Sequence, residues 1–198
     1  MKSTVSRTRF ITVTAMLGAV SFVLQFLEFS VPFVPSFIKL DFSDLPALIG
    51  SFALGPGCGV LVALIKNVLH LLDTSSGGVG EISNFILCAL FVLPAGILYR
   101  RKKTRRTALI GSVIGAVISS LVSILTNYFI VYPIYTAFMP METIIAMYQA
   151  IRPSTETLLE ALIVFNVPFT FIKEMICVLI TFLIYKHISP ILKGADRN

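Results

Sequence analysis

Long stretches without a charged side chain constrain this chain more than any other feature. Phe10 to Leu27, Leu45 to Ile65, Ile82 to Tyr99, Thr107 to Met141 and Ala161 to Ile172 carry neither acid nor base. A helix of roughly 20 apolar residues crosses the ~30 Å hydrocarbon core of a bilayer. With 56% hydrophobic residues, 13% charged residues and a mean hydropathy of +0.90, the chain has too little polar surface for a water-soluble fold of 198 residues. The expected class is therefore an all-α integral membrane protein.

Lys2, Arg7 and Arg9 precede the first apolar run. That run is longer than the ~7–15 residues of a signal-peptide core, which predicts a retained helix. Cys58, Cys88 and Cys177 stand singly in apolar surroundings, which argues against a disulfide framework or a zinc site. The net charge of +6 comes from basic residues at helix ends without interleaved exposed aromatics, so it reports topology and not nucleic-acid binding.

Parity decides how Leu45 to Leu72 is threaded. A break at Gly55-Pro56-Gly57 gives a bundle of six transmembrane helices with both termini on one side. The run Arg100, Arg101, Lys102, Lys103, Arg105 and Arg106 joins them there. With Lys2, Arg7, Arg9, Lys186, Lys193 and Arg197, twelve of the 16 basic residues share that face. Five crossings would divide them, against the tendency of basic residues to stay in the cytoplasm. The spacing predicts a single membrane domain, 1–198, with helices at about 8–30, 45–55, 58–73, 80–100, 107–135 and 157–188. Both termini are expected in the cytoplasm.

The second helix is too short to span unless it is tilted, buried among neighbours or extended by irregular backbone. That predicts a cavity near the outer ends of the second and third helices. The first outer connection, Val31 to Asp44, is rich in Pro, Phe and Asp and suits a lid, although prolines that merely stop helices would look the same. No internal repeat supports the inverted-repeat plan of many secondary transporters.

Polar residues inside apolar spans are expensive and should face protein, water or ligand. Asn84 lies at the outer start of the fourth helix and Asn127 in the outer half of the fifth, beside Tyr128 and one turn before Tyr132. Asn166, Thr170 and Lys173 fall on one stripe of the sixth helix. Together they predict an outer pocket that suits an uncharged heteroaromatic edge, with Phe85, Phe129, Phe165 and Phe169 as walls. The asparagines read equally as interhelical hydrogen-bonding residues, and the phenylalanines as lipid-facing filler. Glu174 is the expected neutraliser of Lys173, and Lys66, Asn67 and His70 form a second polar group assigned to packing or hydration. Pro168 predicts a kink. Ala15-x-x-x-Ala19 is a small-residue pattern that permits close helix approach. No nucleotide-hydrolysis, zinc-protease or nucleophile-elbow motif and no carboxylate set with metal spacing is present, so neither an enzyme nor a bound metal or cofactor is expected.

Several segments carry a family resemblance: Ala15-x-x-x-Ala19, Lys39-Leu40-Asp41-Phe42-Ser43-Asp44-Leu45-Pro46, Leu54-Gly55-Pro56-Gly57-Cys58-Gly59, Gly80-Glu81-Ile82-Ser83-Asn84-Phe85 and Asn127-Tyr128. Over nearly its whole length the chain resembles the S components of energy-coupling factor (ECF) vitamin transporters, small six-helix subunits that capture a vitamin. The second and fourth of these segments look most like the riboflavin-specific members. The resemblance implies a cell-membrane protein of a prokaryote that takes riboflavin, or its phosphate FMN, from outside. It implies as partners a transmembrane coupling subunit and two cytosolic ATPases that supply the energy. Ala15 and Ala19 would contact the coupling subunit, and Leu40, Asn84, Asn127 and Lys173 would hold the ligand. Asn166, Thr170 and Glu81 are added by helical geometry. An S component for another vitamin and a stand-alone ion-coupled carrier using Lys66, Lys173 and Glu174 are the competing readings; an intramembrane enzyme ranks last.

Overall fold

The computed structural model describes residues 6–74, 76–137 and 139–193. Lys2 and Arg197, two members of the predicted basic face, lie outside them. Helix α1, Arg7–Phe26, starts where the Ser6 side chain accepts a hydrogen bond from the Arg9 amide. It ends four residues short of the expected position 30, because the chain turns there into a small antiparallel hairpin. Strand β1, Phe29–Ser30, pairs with β2, Lys39–Leu40, with Phe29 opposite Leu40. Pro32 and Pro35 lie between the strands and cannot continue a helix.

Helix α2, Asp44–Leu54, and helix α3, Pro56–His70, are separated at Gly55, whose φ of 105° is open to glycine and strained for other residues. Pro56 then opens α3, where its missing N–H costs nothing. A single 3₁₀ turn, Leu71–Asp73, leads on to α4, Val79–Arg101. Helix α5, Arg105–Thr126, passes through a π turn, Asn127–Val131, into α6, Tyr132–Tyr135. Helix α7, Met141–Gln149, follows. Helix α8, Leu158–Ala161, passes through a second π turn, Leu162–Asn166, into α9, Val167–Lys193. The expected interruption near Pro168 is this π turn.

Five helical stretches are long and apolar enough to cross a membrane: Arg7–Phe26, Pro56–Asp73, Val79–Arg101, Arg105–Tyr135 and Leu158–Ile188. Helix α2 is a shorter apolar helix that packs among them and, at 11 residues, spans about half of a ~30 Å core. Of the three arrangements open to a short helix, it takes burial by its neighbours. Pro46, Ala47, Leu48, Ile49, Gly50, Ser51 and Phe52 are all buried.

Small residues set the tightest approach, between α4 and α5. A Cβ at Gly111 would lie 2.9 Å from Ala95 Cα, and one at Gly115 would strike the Phe91 carbonyl oxygen. Contacts also sort the two ends of the bundle. The rings of Phe52, Tyr99 and Tyr185 meet with centroids 5.0–6.4 Å apart, bringing the ends of α2, α4 and α9 beside the basic turn 100–106. At the opposite end, Val34, Phe37 and Ile38 pack on a second apolar cluster that includes Val131, Tyr132, Ile144, Tyr148, Leu162 and Phe165. The cluster seats α7 and the hairpin loop over the two π turns.

Candidate ligand-binding site

A cavity of about 200 Å³ opens at this second end. Both π turns border it, and each precedes a proline by one residue, Pro133 or Pro168. Proline has no N–H to donate and its ring crowds the preceding turn, so the ladder re-pairs from residue i to i−5. The Tyr132 amide donates to the Asn127 carbonyl, and the Val167 amide donates to the Leu162 carbonyl.

Asn84, Asn127, Asn166, Thr170 and Lys173 all line this cavity. Asn127 spends its Nδ2 on the Ser123 carbonyl, 2.8 Å away, which leaves its Oδ1 as an acceptor. Asn166 is the reverse: its Oδ1 accepts from the Tyr148 hydroxyl at 2.8 Å, so its Nδ2 remains a donor. The lining thus offers an acceptor and a donor from different helices, matched to a ligand edge that carries both.

Leu40 and Glu81 are not brought to the lining. Leu40 is 9% exposed and held in the hairpin opposite Phe29. Glu81 turns toward the end of α3, where its Oε1 lies 2.8 Å from His70 Nδ1 and its Oε2 accepts from Ser76 Oγ at 2.8 Å. Of the four expected phenylalanine walls only Phe169 lines the cavity. Phe129 is 68% exposed, Phe85 packs in the bundle core, and Phe165 is buried with its ring 5.2 Å from Tyr148. Phe37, Tyr132 and Tyr135 supply the aromatic surface instead. Of these, Tyr132 is the one that the sequence places beside a polar residue of the span, one turn after Asn127.

Lys173 Nζ donates to Asp41 Oδ2 at 2.8 Å and lies 3.4 Å from Asp44 Oδ2. Glu174, its expected partner, instead accepts from Ser119 Oγ at 2.5 Å. Of the two roles open to Lys66, packing and hydration, it takes packing: it has no exposed surface, and its Nζ donates to Asp44 Oδ1 and to Ser43 Oγ, each at 2.6 Å. Two lysines and two aspartates thus cancel beneath the cavity. Burial pushes the Asp41 carboxyl up, but Lys173 and Lys66 beside it outweigh that and hold it below the ordinary carboxylate range. The Asp41 to Asp44 segment is also tied to α1, because Ser21 Oγ donates to the Ser43 carbonyl. Asp41 and Asp44 were quoted in the motif, but their role as counter-ions has no local signal.

Among the described residues no group of three or more His, Cys, Asp or Glu side chains could hold a metal ion. Ala15 and Ala19 lie on the exposed face of α1, which contributes nothing to the lining.

Residues 9–185 match the family "ECF transporter, substrate-specific component". This chain belongs to that family. The S component is 34% identical over 185 residues to "Riboflavin transporter RibU" of Staphylococcus aureus (strain TCH60), covering 93% of this chain and 92% of the relative. It is 30% identical over 183 residues to "Riboflavin transporter FmnP" of Bacillus subtilis (strain 168), covering 91% and 92%. Its fold superposes with a TM-score of 0.74 on a solved structure described as "Structure and mechanism of the S component of a bacterial ECF transporter". That match has 30% identity and covers 95% of this chain and 99% of the other. The S component is accordingly a multi-pass membrane transport protein and not an enzyme.

Proposed function

We propose that this S component captures riboflavin for an ECF-type ATP-driven importer. The observation that carries the reading is the convergence of Asn84, Asn127, Asn166, Thr170 and Lys173 on one cavity walled by Phe37, Tyr132, Tyr135 and Phe169. An isoalloxazine ring carries a polar pyrimidine edge for the amides and a flat apolar body for the rings. The naming of both relatives as riboflavin transporters supports the same ligand. The protein sits in the cell membrane of a prokaryote with both termini and the basic turn 100–106 in the cytoplasm and the cavity open to the outside. A coupling subunit docks on Ala15 and Ala19, and two cytosolic ATPases supply the work.

The test is flavin binding by the purified protein in detergent. Riboflavin absorbance should co-elute with it, and Asn127→Ala and Lys173→Ala should each weaken binding by more than about 1 kcal/mol, because a buried ligand group is left unpaired. A colourless preparation with no affinity for added riboflavin overturns the reading. FMN titrated in parallel decides whether the site tolerates a phosphate at its mouth, where Lys39 contributes to the lining. The stand-alone carrier is disfavoured because Lys66 and Lys173 are both held in ion pairs on the same acidic segment.

A further inference from the structure

Tyr148 does not line the cavity, yet it controls a residue that does. It lies on α7 with no exposed surface. Its hydroxyl donates to Asn166 Oδ1 at 2.8 Å and is also hydrogen-bonded to the hydroxyl of Tyr132. A phenol has one proton. That of Tyr148 is committed to Asn166, so Tyr132 must be the donor in the bond between the tyrosines. The chain therefore runs in one direction, from Tyr132 through Tyr148 to Asn166, and both its ends line the cavity.

Packing holds the middle of this chain in place. Phe37 meets the Tyr148 ring edge-on at 5.8 Å, and Phe165 lies against it at 5.2 Å. The ring cannot swing away without opening the cluster that seats α7. Burial, with Tyr132 adding to it, pushes the Tyr148 hydroxyl well above the ordinary phenol range, so it remains a donor.

We infer that Tyr148 is a positioning residue for ligand recognition: by occupying Asn166 Oδ1 it fixes the amide so that Nδ2 faces the ligand, and selects a ligand with a hydrogen-bond acceptor at that point. The inference rests on the riboflavin reading, in which that acceptor is a ring carbonyl. Were the Tyr148 proton absent, the Asn166 amide could turn over and present its oxygen, which would repel the same carbonyl. Selectivity for the ligand edge is thus set by a helix that never touches it.

The test combines riboflavin titration with infrared difference spectra of the bound flavin carbonyls. An N–H donor lowers a carbonyl stretching frequency, and its loss raises it. Tyr148→Phe keeps the ring and removes the proton; it should weaken riboflavin binding roughly fivefold to tenfold and raise one carbonyl band. Asn166→Ala should raise the same band, and the double variant should bind no more weakly than Asn166→Ala alone. Ile144→Val, on the same helix but outside the hydroxyl chain, should lower the melting temperature without moving the band. An unchanged band in Tyr148→Phe, additive losses in the double variant, or an equal band shift in Ile144→Val overturns the inference and leaves riboflavin capture standing. If Tyr148→Phe does not fold, Asn166→Ala decides: a band it fails to move overturns the inference. Wild-type protein without riboflavin affinity overturns the riboflavin reading, and this one with it, before any variant is made.

Discussion

The Lys66 and Lys173 side chains share a pair of aspartates but differ in what they face. The Lys66 side chain has no exposed surface, whereas that of Lys173 keeps 11% and lines the cavity. Removing one member of a buried ion pair costs about 3–5 kcal/mol, because the remaining charge is stranded where water cannot reach it. Lys66→Met should therefore lower stability by about that amount in a denaturant titration in detergent, while protein that stays folded keeps its flavin affinity. Lys173→Met should cost both: it strands the buried Asp41 carboxylate, whose partner it is at 2.8 Å, and it removes a side chain that lines the cavity, so stability and flavin affinity fall together. Equal effects of the two variants on both measurements would sink this division of labour. The sequence marked Lys173 as costly but assigned it the wrong counter-ion. Neighbours at i and i+1 on a helix do not face each other, so Glu174 turns to Ser119 while the true partner, Asp41, lies 132 positions away in the chain.

At the scale of elements, the close approach of α4 to α5 has little room to adjust. The atoms facing Gly111 and Gly115 are backbone, and backbone cannot rotate away as a long side chain can. Gly115→Ala should therefore separate the helices and cost about 1–3 kcal/mol, the usual penalty for overpacking. A thermal unfolding scan in detergent checks it, and an unchanged midpoint would mean that the bundle yields more easily than this packing implies. The long spans were legible because a bilayer demands a length of uncharged chain that nothing else demands. The break at Gly55-Pro56-Gly57 was legible because six crossings, unlike five, keep the basic residues on one face; Gly55 at φ 105° before Pro56 is how the chain makes it. Strands of two residues, β1 and β2, are too short for an alternating pattern to register. Helix α7 has nine residues, and its buried Ile144 and Tyr148 form a single i, i+4 pair, too weak a signal to pick out of a loop. The amides of the site were found because they interrupt apolar spans. Phe37 lies in the connection expected as a lid, but nothing local separates it from Phe33 or Phe42, and Tyr148 was missed because it lies outside the spans and reaches the site through tertiary packing alone.

For the whole molecule, the two faces of α1 make different commitments. Gly18 faces inward, where a Cβ would come within 2.7 Å of Ile65 Cγ2 on α3, so this side is closed by the protein's own packing. Ala15 and Ala19 face outward together with Met16 and Val20 and are exposed. Lipid tails solvate a leucine as well as an alanine, so small residues on an exposed face bring a monomer no benefit; their advantage is the closeness with which a second helix can approach. Ala15→Leu combined with Ala19→Leu should leave the melting temperature unchanged and riboflavin affinity within about twofold, yet prevent co-purification with the coupling subunit and abolish ATP-driven uptake in liposomes containing the full transporter. Gly18→Leu, one position from Ala19 but on the opposite face, should instead destabilise the isolated subunit. Co-purification that survives the paired alanine substitution would move the docking surface to another helix, and a loss of riboflavin affinity in that variant would mean that this face and the cavity, to which α1 contributes no lining residue, are coupled through α1.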